Sequence, residues 1–176
     1  MKMKKFLMCL CAAFAFSQTT WADVEINETN FPDEAFRTYL SGQSYGKDGI
    51  LTDAEIAKVK TLNVAKKSIQ TLQGVKIFTA LTTLTCNGNE LTSLDVSGMT
   101  SLTKLTCYNN QLTVIDVSGC TALTTLDCYT NQLTGAAVDA LINILPTVSN
   151  GKFTLLSTSK DESNTCIRGT VPLIYF

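Results

Sequence analysis

The chain has 176 residues, 14 basic against 15 acidic side chains, and no histidine. That length holds one modest domain. The charge balance argues against a nucleic-acid partner, which normally meets a basic face. The absence of histidine removes the commonest general base and the commonest transition-metal ligand.

Residues 1–22 read as a secretory signal. Lys2, Lys4 and Lys5 make a basic start, an apolar run follows from Phe6 to Phe16, and Thr20 and Ala22 put small residues where a signal peptidase reads. The run is too short to span a bilayer comfortably, so cleavage is expected before Asp23. Cys9 and Cys11 follow Met8 and Leu10 rather than a small residue, which disfavours a lipid anchor. Losing three lysines leaves 11 basic against 15 acidic residues, a formal net charge of −4. No later apolar run is long enough for a membrane-spanning helix. The expected location is extracytoplasmic: secreted, at the cell surface or periplasmic.

Residues 23–58 are predicted to form a helical cap. In "NFPDEAFRTYL", Pro32 and two acids open a run in which Phe31, Ala35, Phe36, Tyr39 and Leu40 share a face, which predicts an amphipathic helix. "LTDAEIAKV" predicts a second helix, with Thr52 and Glu55 as its capping box. Between them, "SYGKDGILTDAE" is similar to an EF-hand loop, with Asp48, Gly49, Leu51 and Glu55 at the fifth, sixth, eighth and twelfth positions. Ser44 and Gly46 stand at the first and third, where acids are usual. Two carboxylates hold Ca²⁺ poorly, and a turn followed by a helix cap explains the same residues. No metal or cofactor is expected.

Residues 59–134 carry a repeat of 21 residues. Leu81, Leu102 and Leu123 align, as do Leu84, Leu105 and Leu126; Cys86, Cys107 and Cys128; Asn89, Asn110 and Asn131; and Leu91, Leu112 and Leu133. The pattern L-x-x-L-x-C-x-x-N-x-L is that of a leucine-rich repeat. A degenerate copy runs through Val59, Leu62, Val64, Ile69 and Leu72, with Lys67 where asparagine is expected, so about four coils are predicted. Alternation in the strand turns Leu84 and Cys86 inward and Thr83, Thr85 and Asn87 outward. The asparagine bends the chain out of the strand, and its amide is placed to bond open backbone groups. A second alternating phrase, Leu91-x-x-Leu94-x-Val96, predicts an extended rather than helical far side. The fold class is thus a short leucine-rich-repeat solenoid of parallel strands with an N-terminal helical cap.

Five cysteines lie beyond the signal: Cys86, Cys107, Cys120, Cys128 and Cys166. An odd number cannot all pair within one chain. The three at the repeat position are expected to be small buried residues. Parallel in-register strands hold their Cβ atoms wider than a disulfide prefers, and a zinc site wants four convergent ligands. Residues 135–176 read as a tail of one helix followed by strand-like and irregular sequence, ending abruptly in "CIRGTVPLIYF", with truncation as one explanation.

These phrases carry a resemblance. A helical cap with an EF-hand-like turn joined to short leucine-rich coils resembles the internalin-type family of bacterial secreted leucine-rich proteins. "NFPDEAFRTYL", "GKDGILTDAEIAKVKTLNV" and "LTTLDCYTNQLT" are similar to secreted repeat proteins of gut- and mouth-associated Bacteroidetes. The resemblance spans about residues 24–165 and implies a non-enzymatic surface or secreted binder. The family's arrays are usually longer, and its tail usually runs on past a phrase like "SNTC".

The candidate ligand-binding residues lie on the outward strand positions: Thr85, Asn87, Lys104, Thr106, Tyr108, Asp127 and Tyr129. Tyr108 and Tyr129 stand one coil apart, a platform for a sugar or peptide. The alternative is that threonine and tyrosine are simply good strand residues on a solvated face. An enzyme is disfavoured, because there is no phosphate loop and no nucleophile with a base; Asp95 and Asp116 read as recurring outward turns. The expected partner is a protein, peptide or glycan, and no catalytic residue is assigned. A structural, self-associating repeat protein with no ligand of its own is the other reading.

Overall fold

The computed structural model describes residues 23–147 and 151–155. The expected signal at residues 1–22 and the chain from residue 156 onward, with Cys166, lie outside the described residues.

The cap comes first. β1 (Val24–Glu25) pairs antiparallel with β2 (Ile50–Leu51). Between them α1 (Glu34–Ser41) begins where Asp33 Oδ1 accepts the Phe36 N–H at 2.9 Å. Phe36 and Leu40, four residues apart on one face, are fully buried. Phe31 meets Phe36 edge-on, with ring centroids 5.7 Å apart. α2 (Asp53–Ile56) is one turn, shorter than its sequence predicts, because Val59 already belongs to the core and the next strand starts at Thr61. Its capping box is complete: the Glu55 N–H donates to Thr52 Oγ1 at 3.3 Å, and Glu55 Oε2 accepts from the Thr52 N–H at 3.0 Å and hydroxyl at 2.7 Å. Those bonds from Thr52 hold the Glu55 carboxyl below its usual pKa. Asp48 Oδ1 accepts the Ile50 N–H at 3.1 Å. Asp48 and Glu55, the two carboxylates at ligand positions of the EF-hand-like loop, therefore serve a turn and a cap, and among the described residues no group of three or more Cys, Asp or Glu is placed to hold a metal.

The coils follow as β3 (Thr61–Asn63), β4 (Thr83–Thr85), β5 (Ser93–Asp95), β6 (Lys104–Thr106), β7 (Val114–Asp116) and β8 (Thr125–Asp127), then α3 (Gly135–Ile144) and β9 (Lys152–Thr154). One parallel sheet has the order β3-β4-β6-β8-β9. Its register aligns Leu62, Leu84, Leu105, Leu126 and Phe153. On the far side β5 pairs with β7 in parallel, Leu94 opposite Ile115, so that side is extended as its alternation predicts. Asp95 and Asp116 close these strands, each accepting the backbone N–H two residues on, at 2.9 and 2.8 Å. The sheet runs one strand past the repeats, because the tail returns as β9.

Phe31, Phe36, Leu40, Leu51 and Ile56 of the cap join the repeat leucines in one continuous core. The cap is fastened to the first coil by Asp33, whose Oδ2 accepts the Gln70 and Thr71 N–H groups at 2.7 and 3.3 Å. Tyr39 Oη accepts the Asn63 N–H at 3.3 Å, and Lys67 Nζ stands 5.4 Å from the same ring centroid. An open first strand is a pairing hazard, and this contact blunts it. Cys86, Cys107, Cys120 and Cys128 are all free and buried. Cys120, which the repeat pattern leaves unassigned, takes the core position held by Phe78 and Met99 in the preceding coils, and its Sγ donates to the Val96 carbonyl at 3.1 Å.

The asparagines join the coils. The Asn89 amide donates to the Val64 and Cys86 carbonyls at 2.8 and 2.9 Å, that of Asn110 to Cys86 and Cys107 at 3.1 and 3.0 Å, and that of Asn131 to Cys107 and Cys128 at 3.1 and 2.8 Å. Each side-chain oxygen also accepts from the preceding coil: Asn89 from the Lys67 and Ile69 N–H groups, Asn110 from Leu91, Asn131 from Leu112. Every asparagine thus reaches toward the N-terminus. The first coil has no coil before it, so Lys67 in place of asparagine costs it nothing of this kind. A parallel row of hydroxyls, Thr82, Thr103 and Thr124, donates to the carbonyls of Lys60, Thr82 and Thr103.

Two residues past the last inward strand position, every coil turns through the left-handed region: Lys66 at φ 55°, Gly88 at 69°, Asn109 at 54° and Thr130 at 52°. Glycine and asparagine accept that conformation readily, whereas a β-branched threonine does not.

Three outcomes follow. Asn110→Ala orphans the buried Leu91 N–H and halves the bonding of two carbonyls, so it destabilises by about 1–3 kcal/mol in denaturant unfolding. Thr130→Asn relieves the left-handed strain and stabilises by about 1 kcal/mol in the same assay. Burial pushes the Cys86 and Cys128 thiols up to about 12 and the Cys107 thiol well above the ordinary 9.0. An unfolded thiol gives up its proton first, so stability is at its full value below pH 9 and falls as pH rises toward 12. At pH 8 an alkylating reagent spares these three thiols in the native protein and labels them in denaturant.

Candidate ligand-binding face

The outward residues of the main sheet form rows that cross the strands. Register places Thr61, Thr83, Lys104, Thr125 and Lys152 in one row, and Asn63, Thr85, Thr106, Asp127 and Thr154 in the next. A third row, two residues further on, holds Ala65, Asn87, Tyr108 and Tyr129. Period-two alternation fixes which side chains face out, and the asparagine ladder fixes the register.

Tyr108 and Tyr129 stack, with ring centroids 4.6 Å apart and planes within 6° of parallel. The centroid distance is close to the spacing of the strands that carry them. Partial burial and the nearby ionisable groups of Tyr108 and Asp127 raise the pKa of the Tyr129 hydroxyl. Lys104 is exposed, and Asp127, Tyr108, Tyr129 and Thr85 are half-buried. Two sequence candidates are less accessible than expected: Asn87 is 6% exposed and Thr106 8%. Thr106 lies between Lys104 and Tyr108 along its strand, and Asn87 lies beside Tyr108 in its row. The surface that remains is Thr85, Lys104, Asp127 and the tyrosine pair.

One charged residue of this face escaped the sequence reading. Lys152 comes from the tail, and only its pairing with Thr125 puts it beside the coils. The sequence predicts strand-like residues after the tail helix, but nothing local places them at the end of the sheet. Lys104, Asp127 and Lys152 make no ion pair among the described residues, where the pairs formed are Arg37–Glu28 and Lys76–Asp95. The sheet presents donors, acceptors and an aromatic pair, with no acid–base pair arranged around a nucleophile.

Comparison with known proteins agrees with this architecture. The family described as Leucine Rich repeats (2 copies) matches residues 100–143. Among solved structures, the functional domain of InlJ from Listeria monocytogenes, which includes a cysteine ladder, is 31% identical over 67% of this chain, with a TM-score of 0.59. An internalin, InlF, from the same organism is 24% identical over 68% of the chain, with a TM-score of 0.51, and supports the fold alone. The chain spans only 26% of the InlJ structure and 35% of the InlF structure. A search of curated proteins finds no match. The chain carries leucine-rich repeats and folds as an internalin-like solenoid.

Proposed function

We propose that this chain is an extracytoplasmic binding module without catalytic activity, and that its concave sheet holds a protein, peptide or glycan ligand. The observation that carries the reading is the stacked pair Tyr108 and Tyr129 beside Lys104 and Asp127, which make no ion pair among the described residues. Aromatic anchors tend to dominate the energy of an interface. At the same position the earlier coils have Ala65 and Asn87, so the aromatic patch is local to two coils. Strand propensity alone would not restrict tyrosine to them. The location rests on the signal-like residues 1–22, and no helix among the described residues is long and apolar enough to cross a membrane. The likeness to the InlJ solenoid supports the binding role that the internalin resemblance implies.

The test is the double variant Tyr108→Ala with Tyr129→Ala. Both rings sit on the outer face, so the far-ultraviolet spectrum and unfolding midpoint change little. Affinity for a ligand captured on a peptide or glycan array falls by at least about 2 kcal/mol, as for hot-spot residues. Undiminished binding by the folded variant moves the site off this face.

A further inference from the structure

We propose that the ligand of this face is an extended peptide presenting an acidic, a basic and an aromatic side chain at every second residue, laid along β6, β8 and β9. The proposal rests on the concave-face reading above and adds the chemistry and register of the ligand.

The rows carry different chemistry in a fixed order. The first has Lys104 and Lys152 on either side of Thr125. Their strands lie two spacings apart, about 9.6 Å, so two flexible lysine stems can meet one carboxylate above Thr125. The second row has the single carboxylate of Asp127 between Thr106 and Thr154. The third has the stacked tyrosines. Two positive charges, one negative charge and an aromatic pair therefore follow one another along the strand direction. None of the three charges is in an ion pair among the described residues.

Successive rows are two residues apart, about 6.6–6.8 Å. An extended peptide has the same pitch and shows residues i, i+2 and i+4 on one side. Such a peptide aligned with the strands meets all three rows at once, its acid on the lysines, its base on Asp127 and its aromatic residue on the tyrosines. An acidic glycan offers a carboxylate and a ring face but no cation for Asp127. Exposed charges of this kind set register and partner choice more than affinity. The tail strand is essential to the scheme, because without Lys152 the first row has one lysine and faces Asp127 at near balance.

The test uses the full chain and labelled peptides with the cores Glu-Ser-Lys-Ser-Trp, the reverse order Trp-Ser-Lys-Ser-Glu, and the charge-swapped forms of both. Acidic oligosaccharides are a separate arm. One of the two orders is expected to bind about tenfold tighter than its swapped form, because reversing each charge turns modest attraction into repulsion. The variant Lys104→Glu, Asp127→Lys, Lys152→Glu inverts that preference, which a merely structural role for these residues would not do. Equal binding of native and swapped peptides, an unchanged preference in the reversed variant, binding of oligosaccharides alone, or no peptide binding each overturns the proposal. The tyrosine double variant separates two failures. If peptides bind without charge order yet lose affinity in that variant, the face stands and the register falls. If they bind the variant unchanged, the face reading falls as well.

Discussion

A buried carbonyl has two lone pairs, and in this solenoid the asparagine amides fill both. The Cys86 carbonyl accepts from Asn89 and Asn110, and the Cys107 carbonyl from Asn110 and Asn131. The result is a continuous alternation of amide and carbonyl down one edge of the core. Burying a turn is costly because its backbone groups leave water. Here each turn passes under the next coil with its asparagine-bonded groups paired, and the leucines form one continuous core.

The outer face takes its order from that inner one. Once the asparagines lock the register, every outward side chain has a neighbour one coil away at strand spacing. Tyr108 and Tyr129 stack because their backbones are already aligned. The same coil geometry carries different residues at these positions: Ala65, Asn87, Tyr108, Tyr129 in one row, and Thr83, Lys104, Thr125, Lys152 in another. A regular interior and a variable exterior are the two requirements of a recognition surface, and one repeat supplies both.

Much of this is legible in the sequence. Five aligned positions at a period of 21 give the strand, its inward side, the buried cysteines and the asparagine turn, because each is a local, repeated consequence of stacking. The extended far side is readable from the alternation of Leu91, Leu94 and Val96. Three features were not readable. Cys120 shares its core position with Phe78 and Met99, and three unlike side chains show no pattern until the coils are superposed. The hydroxyl row of Thr82, Thr103 and Thr124 is hidden in a sequence crowded with threonine. The contribution of β9 depends on long-range pairing across α3, which no local periodicity encodes. At the candidate site the tyrosines, Lys104 and Asp127 are legible from alternation, while the burial of Asn87 and Thr106 is not, because alternation gives the side of the sheet and not the accessibility.

The asparagine bonds all point one way, and that gives the array a polarity. Each coil brings the side-chain amide that closes the coil before it, accepting one or two of its backbone N–H groups and filling a second lone pair on its carbonyl. A block running from one leucine to its equivalent in the next coil can therefore be copied or removed without changing the bonds at the seam. With residues 102–122 taken out, Asn131 would meet the Cys86 and Cys128 carbonyls in place of Cys107 and Cys128. The array is a ratchet counted in whole coils, indifferent to how many there are. Related arrays are thus free to differ in length while their caps and their seams stay the same.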